Sequence, residues 1–256
     1  MKKWITFDLD GTLMQNPFGK WVFPAIEEQI SQQLQRPFKS TETLVREHER
    51  RMAQNRTVEA YDWDEMVRLL LAELQLELTI DVERLVLDHS VSPKIYLLEE
   101  KSLETLQRLK ERGYSLAAVT NGFYKYQFPV MKALGLSEWF DDIVTPEKAG
   151  CGKPDARILD SLRKTGEIAA HVGDRLDHDV FMANQSGVPS VLIYHKLPEP
   201  LRAAAPRQRA AQAEFVDICK AKLQKEHPQA AVEPYPAEYV PDYVIYQMEE
   251  LLDCVH

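Results

Sequence analysis

The sequence predicts an α/β fold in which a doubly wound parallel sheet carries a long all-helical segment near its start. From about residue 93 onward, short apolar runs typical of buried strands alternate with stretches that place apolar residues at helical spacing. Residues 17–92 show helical spacing alone. Polar clusters also follow several predicted strands, and parallel sheets bind ligands beyond the carboxyl ends of their strands.

The elements follow one another in a regular order. The apolar run at residues 4–7 predicts the first strand, and Ile26, Ile30 and Leu34 mark one face of the first helix in the helical segment. Gly113 ends the first helix after that segment. Further strands are expected at 114–120, 143–145, 168–172 and 190–194, and helices at 98–112, 125–134, 155–164 and 179–186.

The run from Asp8 to Leu13, directly after the first strand, is the most informative local feature. Residues two apart on a strand point the same way, so Asp8 and Asp10 leave the strand side by side, and Gly11 allows a sharp turn. Adjacent buried carboxylates repel, and Mg²⁺ resolves that conflict because it prefers oxygen ligands. One carboxylate can then attack an electrophile while the other moves protons. The alternative is a polar turn with metal-free aspartates.

Three further polar clusters favour the chemical interpretation. Thr120-Asn121-Gly122 follows one strand-like run, Gly152-Lys153-Pro154 precedes a helical pattern, and the stretch 173–179 follows another strand-like run. We therefore expect all four clusters at one edge of the parallel sheet.

With these residues in place, the chain resembles the haloacid dehalogenase superfamily of phosphohydrolases. The family's motifs occur in order as Asp-x-Asp-Gly-Thr at 8–12, Thr-Asn-Gly at 120–122, Lys-Pro at 153–154 and Gly-Asp-x4-Asp at 173–179. The resemblance implies a Rossmann-like core and a phosphatase that cleaves a small phosphomonoester, such as a nucleotide or a sugar phosphate. The form Thr-Asn-Gly-Phe is most similar to the branch that includes house-cleaning nucleotidases.

The resemblance also implies the catalytic and metal-binding roles. Asp8 is the nucleophile that becomes an aspartyl phosphate. Asp10 is the acid that protonates the leaving oxygen and then the base that activates water. Mg²⁺ is held by Asp8, the backbone carbonyl of Asp10 and Asp174, with Asp179 in support.

The remaining motif residues are implied to bind phosphate. Thr120 and the amide region of Asn121 and Gly122 grip the phosphate, while Lys153 balances the charge on nucleophile and phosphate. This fits the physics of phosphoryl transfer, which depends on positioning and on neutralising negative charge. Lysine suits a point-charge contact of this kind.

The helical segment stands where the family's first-type cap is inserted. The resemblance therefore implies a helical cap domain at 17–92 and a catalytic core formed by 1–16 and 93–256. A cap of this size can close over the site and exclude competing water.

One stretch has no counterpart in the family. Residues 197–241 are punctuated by prolines, with a helical pattern of about five turns between Pro206 and Pro228. We expect an accessory surface insertion that precedes the family's last strand, at 242–246, and last helix, at 247–253.

The composition of the chain limits the classes of partner that it can bind. The 256-residue chain has a formal net charge of -9, which argues against binding nucleic acid polymers or anionic membranes. No apolar run is long enough for a membrane span, and the first residues do not resemble a signal peptide. The three cysteines are widely spaced, which favours reduced thiols in a cytoplasmic protein. A monomer or homodimer is expected.

Three rival functions remain on this scaffold. Dehalogenase chemistry is disfavoured by Asp10, because that branch lacks the second aspartate. A phosphomutase also uses both aspartates and would release isomerised product without free phosphate. A non-catalytic regulatory or binding member would have kept the fold without the activity.

Overall fold

The computed structural model describes residues 1–255 and contains a six-stranded sheet. The strands of this sheet and of a two-stranded ribbon, numbered along the chain, are β1 (Lys2–Phe7), β2 (Met14–Gln15), β3 (Tyr96–Leu97), β4 (Ser115–Val119), β5 (Asp142–Val144), β6 (Gly166–Gly173), β7 (Ser190–Ile193) and β8 (Tyr243–Ile245). The sheet has the order β5-β4-β1-β6-β7-β8, and every neighbouring pair is parallel. The chain thus winds outward from β1 in both directions, which confirms the predicted fold class.

Helices cover both faces of the sheet and fill the segment between β2 and β3. The α-helices are α1 (Phe23–Leu34), α2 (Ser40–Ala53), α3 (Thr57–Ala60), α4 (Trp63–Glu73), α5 (Val82–His89), α6 (Ser102–Glu111), α7 (Tyr124–Ala133), α8 (Pro146–Ala149), α9 (Asp160–Arg163), α10 (Phe181–Gln185), α11 (Glu199–Arg202), α12 (Pro206–Arg209) and α13 (Ala213–Glu226). Two π-helical turns span Phe18–Val22 and Leu176–Val180, and 3₁₀ turns span Ala156–Leu159, Ala237–Tyr239 and Met248–Asp253.

Alternate residues of β1 pack on opposite faces of the sheet. Ile5 and Phe7 are fully buried in one apolar cluster together with Leu116 of β4, whereas Trp4 is buried in a separate cluster on the other face. This is the period of two expected of a strand that is covered on both sides. The central strand that carries the aspartate turn is therefore held rigidly by the core.

The helical segment leaves and rejoins the core at one point. Met14 pairs with Leu97 and Gln15 with Tyr96 in the antiparallel ribbon of β2 and β3. The aromatic ring of Phe18 then packs against Trp63 within the segment, at 5.9 Å between centroids. It also packs edge-on against Tyr126 of α7 in the core, at 5.5 Å. Aromatic contacts thus join the segment to α7.

Three predicted helices differ in type from the structure. The helix expected at 155–164 is a 3₁₀ turn followed by the short α9, and that expected at 179–186 begins earlier, as a π turn at Leu176. The helix expected at 247–253 is a 3₁₀ turn throughout. Over six to ten residues, apolar spacing cannot separate an α-helix from the tighter 3₁₀ turn or the wider π turn.

Residues 197–241 form three short elements around one longer helix. The predicted helix is shorter than expected because Pro206 begins a separate helix, α12, and α13 starts only at Ala213. Phe215 and Leu223 of α13 are fully buried in a cluster with Leu176 and Val180. The segment therefore packs on its own chain, against the turn that carries the fourth motif. Within residues 1–255, every helix is too short or too polar to cross a membrane.

Candidate active site

A tight turn after β1 presents the two aspartates. The carbonyl of Leu9 accepts hydrogen bonds from the N–H groups of Leu13 and Met14, at 2.8 and 3.0 Å. Gly11 adopts a φ of +84°, and a Cβ at this position would lie 2.8 Å from a carboxylate oxygen of Asp174. Only glycine combines this backbone conformation with so close an approach. The turn therefore brings the first and fourth motifs together.

Lys153 lies between two of the predicted carboxylates. Its Nζ donates to Oδ1 of Asp8 at 2.5 Å and to Oδ1 of Asp179 at 2.6 Å, although the residue is only 2% exposed. Burial opposes the charge of Lys153, but Asp179 and Asp8 raise its pKa above the ordinary lysine value. Lys153 is therefore a fixed positive charge beside the Asp8 carboxylate.

Three carboxylates form a cluster that can hold a cation. One oxygen each from Asp8, Asp174 and Asp179 lies within 4.8 Å of the other two. Burial, with the neighbouring carboxylates adding to it, raises the pKa of Asp8 to about 6 and that of Asp174 to about 8. Crowded, desolvated oxygen ligands of this kind suit Mg²⁺. A divalent cation would relieve their repulsion more fully than Lys153 does alone.

Asp179 is oriented by His171, which the sequence analysis did not single out, and by the backbone N–H of Arg175. Its Oδ1 lies 3.1 Å from Nε2 of His171, whose Nδ1 lies 2.9 Å from the hydroxyl of Thr6. Its Oδ2 accepts from the N–H of Arg175 at 3.0 Å. Although burial opposes ionisation, Lys153 and His171 hold the pKa of Asp179 below its ordinary value. Asp179 is thus an ionised carboxylate with both oxygens occupied by protein donors.

The second motif contacts the third through a side chain. The Asn121 amide pairs with the backbone of Lys153, since Nδ2 donates to the Lys153 carbonyl at 2.9 Å and Oδ1 accepts from the Lys153 N–H at 2.7 Å. Thr120 is buried, and its Oγ1 accepts from the N–H of Gly122 at 3.2 Å. The Thr120 hydroxyl therefore keeps its proton for another acceptor.

Gln127 of α7 is a further site residue that the sequence analysis missed. Its Nε2 donates to Oδ2 of Asp10 at 2.6 Å. Burial raises the pKa of Asp10, while this hydrogen bond, the nearby Asn16 and the charge of Lys153 oppose the rise. A glutamine inside an amphipathic helix carries no sequence signal that sets it apart from an ordinary polar helix residue. Gln127 reaches the site because α7 begins shortly after the Thr-Asn-Gly motif and carries Gln127 in its first turn.

The helical segment reaches the same site. A Cβ on Gly152 would lie 2.4 Å from Cγ2 of Thr57, so α3 packs directly against the residue before Lys153. Burial raises the pKa of Tyr61, which follows α3, while hydrogen bonding to Asn121 and the charge of Arg175 oppose the rise. The edge of the helical segment thus lies over the second and third motifs.

A second contact holds the segment to α7. Asp64, near the start of α4, accepts from Nζ of Lys125 at 2.6 Å and from the hydroxyl of Tyr126 at 2.8 Å through the same oxygen. Its other oxygen accepts from the N–H of Val82 at 2.8 Å. Asp64 therefore joins two helices of the segment to the helix that also carries Gln127.

Residues 197–241 approach the site from the other side. Glu226, the last residue of α13, accepts from the N–H of Leu176 at 2.8 Å, directly after the fourth motif's Asp174 and Arg175. Lys222 pairs with Glu226 at 2.7 Å, and its positive charge opposes the raised pKa of Asp174. The C-terminal end of α13 therefore forms part of the rim of the site.

Comparison with known proteins places this geometry in a family. The family model of the haloacid dehalogenase-like hydrolases matches residues 2–187, a range that includes all four motifs. The chain is 31% identical over 157 residues to a glyceraldehyde 3-phosphate phosphatase of Methanopyrus kandleri, covering 60% of this chain and 54% of that protein. It is 35% identical over 126 residues to haloacid dehalogenase-like hydrolase domain-containing protein 3 of Bos taurus, covering 48% and 49%. The chain spans about half the length of these curated relatives.

The similarity in fold extends further than the similarity in sequence. A crystal structure of a HAD phosphatase from Thermococcus onnurineus matches 99% of this chain and 97% of its own, with a TM-score of 0.67 and 22% identity. The family resemblance inferred from the motifs is confirmed: this chain belongs to the haloacid dehalogenase-like hydrolase family.

Proposed function

We propose that this protein is a Mg²⁺-dependent phosphatase that hydrolyses a small phosphomonoester through an aspartyl phosphate on Asp8. The observation that supports this most directly is the pairing of the buried Asp8 carboxylate with Lys153. A second carboxylate, that of Asp10, follows two residues after Asp8 and is held by Gln127. A nucleophile, a fixed positive charge and a separate proton carrier are what phosphoryl transfer requires. Glyceraldehyde 3-phosphate, the substrate named for the Methanopyrus kandleri relative, is a three-carbon compound of the proposed class.

In the first half-reaction, the Asp8 carboxylate attacks phosphorus and the bond to the leaving oxygen breaks. Asp10 gives its proton to that oxygen, so the alcohol departs neutral. Lys153 and the Thr120 hydroxyl compensate the negative charge of the phosphoryl group. Asn121 acts here mainly by holding the Lys153 backbone, because its side-chain nitrogen and oxygen each make a hydrogen bond to it.

In the second half-reaction, Asp10 takes a proton from water, and the water oxygen attacks the phosphorus of the aspartyl phosphate. The bond between phosphorus and Asp8 breaks, which releases inorganic phosphate and restores both carboxyl groups. Asp8, the Asp10 carbonyl and Asp174, with Asp179 in support, would hold Mg²⁺. When bound, the ion supplies further neutralisation of the charge between nucleophile and phosphate.

We further propose that residues 17–92 act as a cap over this site. The chain enters and leaves the segment through the ribbon of β2 and β3. Thr57 and Asp64 of the segment also make non-covalent contacts with the core beside the site. Closure of such a cap would exclude water during the first half-reaction. A cytoplasmic location agrees with three cysteines that are buried and unpaired.

The test is phosphate release from a panel of small phosphomonoesters, including glyceraldehyde 3-phosphate, with Mg²⁺ and with EDTA. The wild-type protein should release phosphate only with Mg²⁺, and Asp8→Asn should abolish turnover because an amide is not a competent nucleophile. Substantial hydrolysis by pure Asp8→Asn protein would contradict the nucleophile assignment. Isomerised product without free phosphate would indicate a mutase instead.

A further inference from the structure

We infer that Gln127 is a positioning residue for the proton carrier: it fixes one oxygen of the Asp10 carboxylate and leaves the other to exchange the proton with the leaving group. This inference rests on the proposed function, in which Asp10 is the general acid and base. It adds a residue from α7, outside the four motifs.

The contact itself is short and buried. Nε2 of Gln127 lies 2.6 Å from Oδ2 of Asp10, and Gln127 is only 3% exposed. An amide donor is neutral and does not release its proton in the physiological range. It can therefore hold one carboxylate oxygen throughout turnover without competing for the transferred proton, which a histidine or lysine at this place would do.

The remaining oxygens of this pair are unpartnered. Oδ1 of Asp10 and Oε1 of Gln127 are both buried, and among residues 1–255 neither has a partner at hydrogen-bonding geometry; Asn16 lies near enough to lower the pKa of Asp10 without reaching that geometry. Buried polar atoms are almost always hydrogen-bonded, and the exceptions are often found where a ligand binds. Because Gln127 occupies Oδ2 of Asp10, Oδ1 is the atom available for the proton. Oε1 of Gln127 offers an adjacent acceptor for a hydroxyl of the leaving alcohol or for the hydrolytic water.

The second motif makes room for this contact. A Cβ on Gly122 would lie 2.1 Å from Nε2 of Gln127, so any larger residue there would displace the amide. Gly122 thus permits the Gln127 side chain to cross the end of β4 and reach the turn after β1. Because Gly122 has no side chain, the Thr-Asn-Gly motif leaves room for the residue that positions Asp10.

The competing explanation is that Gln127 only satisfies a buried polar group and stabilises the fold. The two explanations differ in how the loss of the amide depends on the leaving group. A residue that positions a general acid matters most when the leaving oxygen is basic and needs the proton. A residue that only stabilises the fold would lower the rates of all substrates by the same factor.

The experiment measures kcat/KM for a series of aryl phosphates, from 2,4-dinitrophenyl phosphate to phenyl phosphate, with Mg²⁺. Gln127→Met keeps the length of the side chain and removes the donor, whereas Gln127→Asn keeps the amide but withdraws it by one methylene. Either variant should lose roughly 10- to 100-fold on phenyl phosphate, part of the roughly 10²–10⁴-fold that general acid catalysis contributes. The loss on 2,4-dinitrophenyl phosphate should stay within about 3-fold, because that leaving group departs without a proton.

Gln107→Met is the matched control. Gln107 also lies on a core helix and donates its Nε2 to a carboxylate, Glu111, at 2.8 Å, but it is exposed and remote from the site. This variant should follow the wild-type dependence on the leaving group. A uniform loss across the series for Gln127→Met and Gln127→Asn, or no loss at all, would overturn the inference.

A double-mutant cycle separates this inference from the proposed function. In the Asp10→Asn background, Gln127→Met should no longer change the dependence on the leaving group, because the group it positions is gone. If the wild-type protein releases no phosphate from any aryl phosphate, the proposed function fails first. If the wild type is active and Gln127→Met still has its selective effect without Asp10, the inference alone is wrong.

Discussion

Asn121 grips the backbone of Lys153 from both sides, donating to its carbonyl at 2.9 Å and accepting from its N–H at 2.7 Å. A residue expected at the phosphate therefore has its side chain committed to the lysine. This relationship explains how the loop before Lys153 is held against the end of β4. It also makes the side chain of Asn121 a determinant of where the Lys153 ammonium lies.

Asn121→Asp should lower both stability and turnover. The substitution replaces the donor with an oxygen that faces the Lys153 carbonyl, which should cost about 1–3 kcal/mol of unfolding free energy. Displacement of Lys153 should lower kcat by about 100-fold, as misplacement of a catalytic group by about 1 Å can do. Urea unfolding and steady-state kinetics measure the two effects.

The matched control is Asn184→Asp. The Nδ2 of Asn184 also donates to backbone carbonyls, those of Glu238 and Val240, both at 2.9 Å, but at a distance from the site. This variant should lose stability while kcat per folded molecule stays near the wild-type value. An equal loss of kcat in both variants would show that Asn121 has only a structural role.

Mg²⁺ should stabilise the folded protein as well as support activity. The crowded oxygens of Asp8, Asp174 and Asp179 exist together only in the folded state. At 100 times its dissociation constant, Mg²⁺ should add about 2.7 kcal/mol to the unfolding free energy, visible as a higher Tm. Asp174→Asn should remove most of this increase. An unchanged Tm in the wild type at millimolar Mg²⁺ would contradict a cation site formed by these residues.

Without Mg²⁺, the two carboxylates with raised pKa values, Asp8 and Asp174, should make stability fall as pH rises. Burial raises the pKa of Asp8 to about 6 and that of Asp174 to about 8, above the ordinary value of 3.8. The folded state therefore binds these protons more tightly than the unfolded state. Their contribution is fully present below about pH 4 and is lost as pH rises through 6 to 8. Urea unfolding in EDTA at pH 5, 6.5 and 8 measures this slope, and saturating Mg²⁺ should reduce it.

Asp64→Asn should weaken the contact between the helical segment and the core with little effect within the segment. The asparagine can still accept from Val82, but it loses the charge that pairs with Lys125. For a partly exposed pair, stability should fall by only about 0.2–1 kcal/mol. If residues 17–92 act as a cap, kcat/KM should also fall, and by more than the small decrease in the fraction of folded protein accounts for.

Asp88→Asn is the control for Asp64→Asn. Asp88 pairs with Arg84 at 3.0 Å on the exposed surface of α5. Its kinetics should match the wild type on every substrate. If Asp64→Asn is also kinetically silent, docking of the segment through α4 is not needed for turnover, and the cap proposal loses its support from this contact.

The sequence was sufficient for the sheet and for the motif residues because both depend on local patterns. Apolar runs set the strands, and polar residues at strand ends placed Asp8, Thr120 and Asp174 at one edge of the sheet. Gln127 and His171 could not be found in this way. Each sits on an ordinary helix or strand, and its importance comes only from the residue it meets across the fold, Asp10 for Gln127 and Asp179 for His171.

The helix types and the course of residues 197–241 were also beyond the sequence. Six apolar and polar residues after Gln247 fit a 3₁₀ turn as well as an α-helix. The approach of Glu226 to Leu176 joins residues that lie far apart along the chain, so no local spacing indicates it. The motifs that carry the family resemblance gave no guidance there, because none of them lies in this stretch.

The contact of Glu226 with Leu176 predicts that residues 197–241 support the loop that carries the proposed metal ligands Asp174 and Asp179. Glu226→Ala leaves the partly buried N–H of Leu176 without its acceptor, which should loosen the stretch between Asp174 and Asp179. We expect the Mg²⁺ dissociation constant to rise by up to about 10-fold, as happens when groups behind metal ligands are removed. Glu226→Gln keeps an acceptor oxygen and should stay close to the wild type.

Glu214→Ala is the matched control, since Glu214 lies in the first turn of the same helix and is exposed. Titration of Tm and of activity with Mg²⁺ compares the variants. The same increase in dissociation constant for Glu214→Ala would indicate a general loosening of α13. No change for Glu226→Ala would show that the motif loop is held without the insertion.

In that case, replacing residues 199–239 by a short Gly/Ser linker should preserve hydrolysis of a small aryl phosphate. If Glu226 does support the loop, the linker protein should need more Mg²⁺ for the same rate, because it also loses the Phe215 and Leu223 contacts with the turn at Leu176.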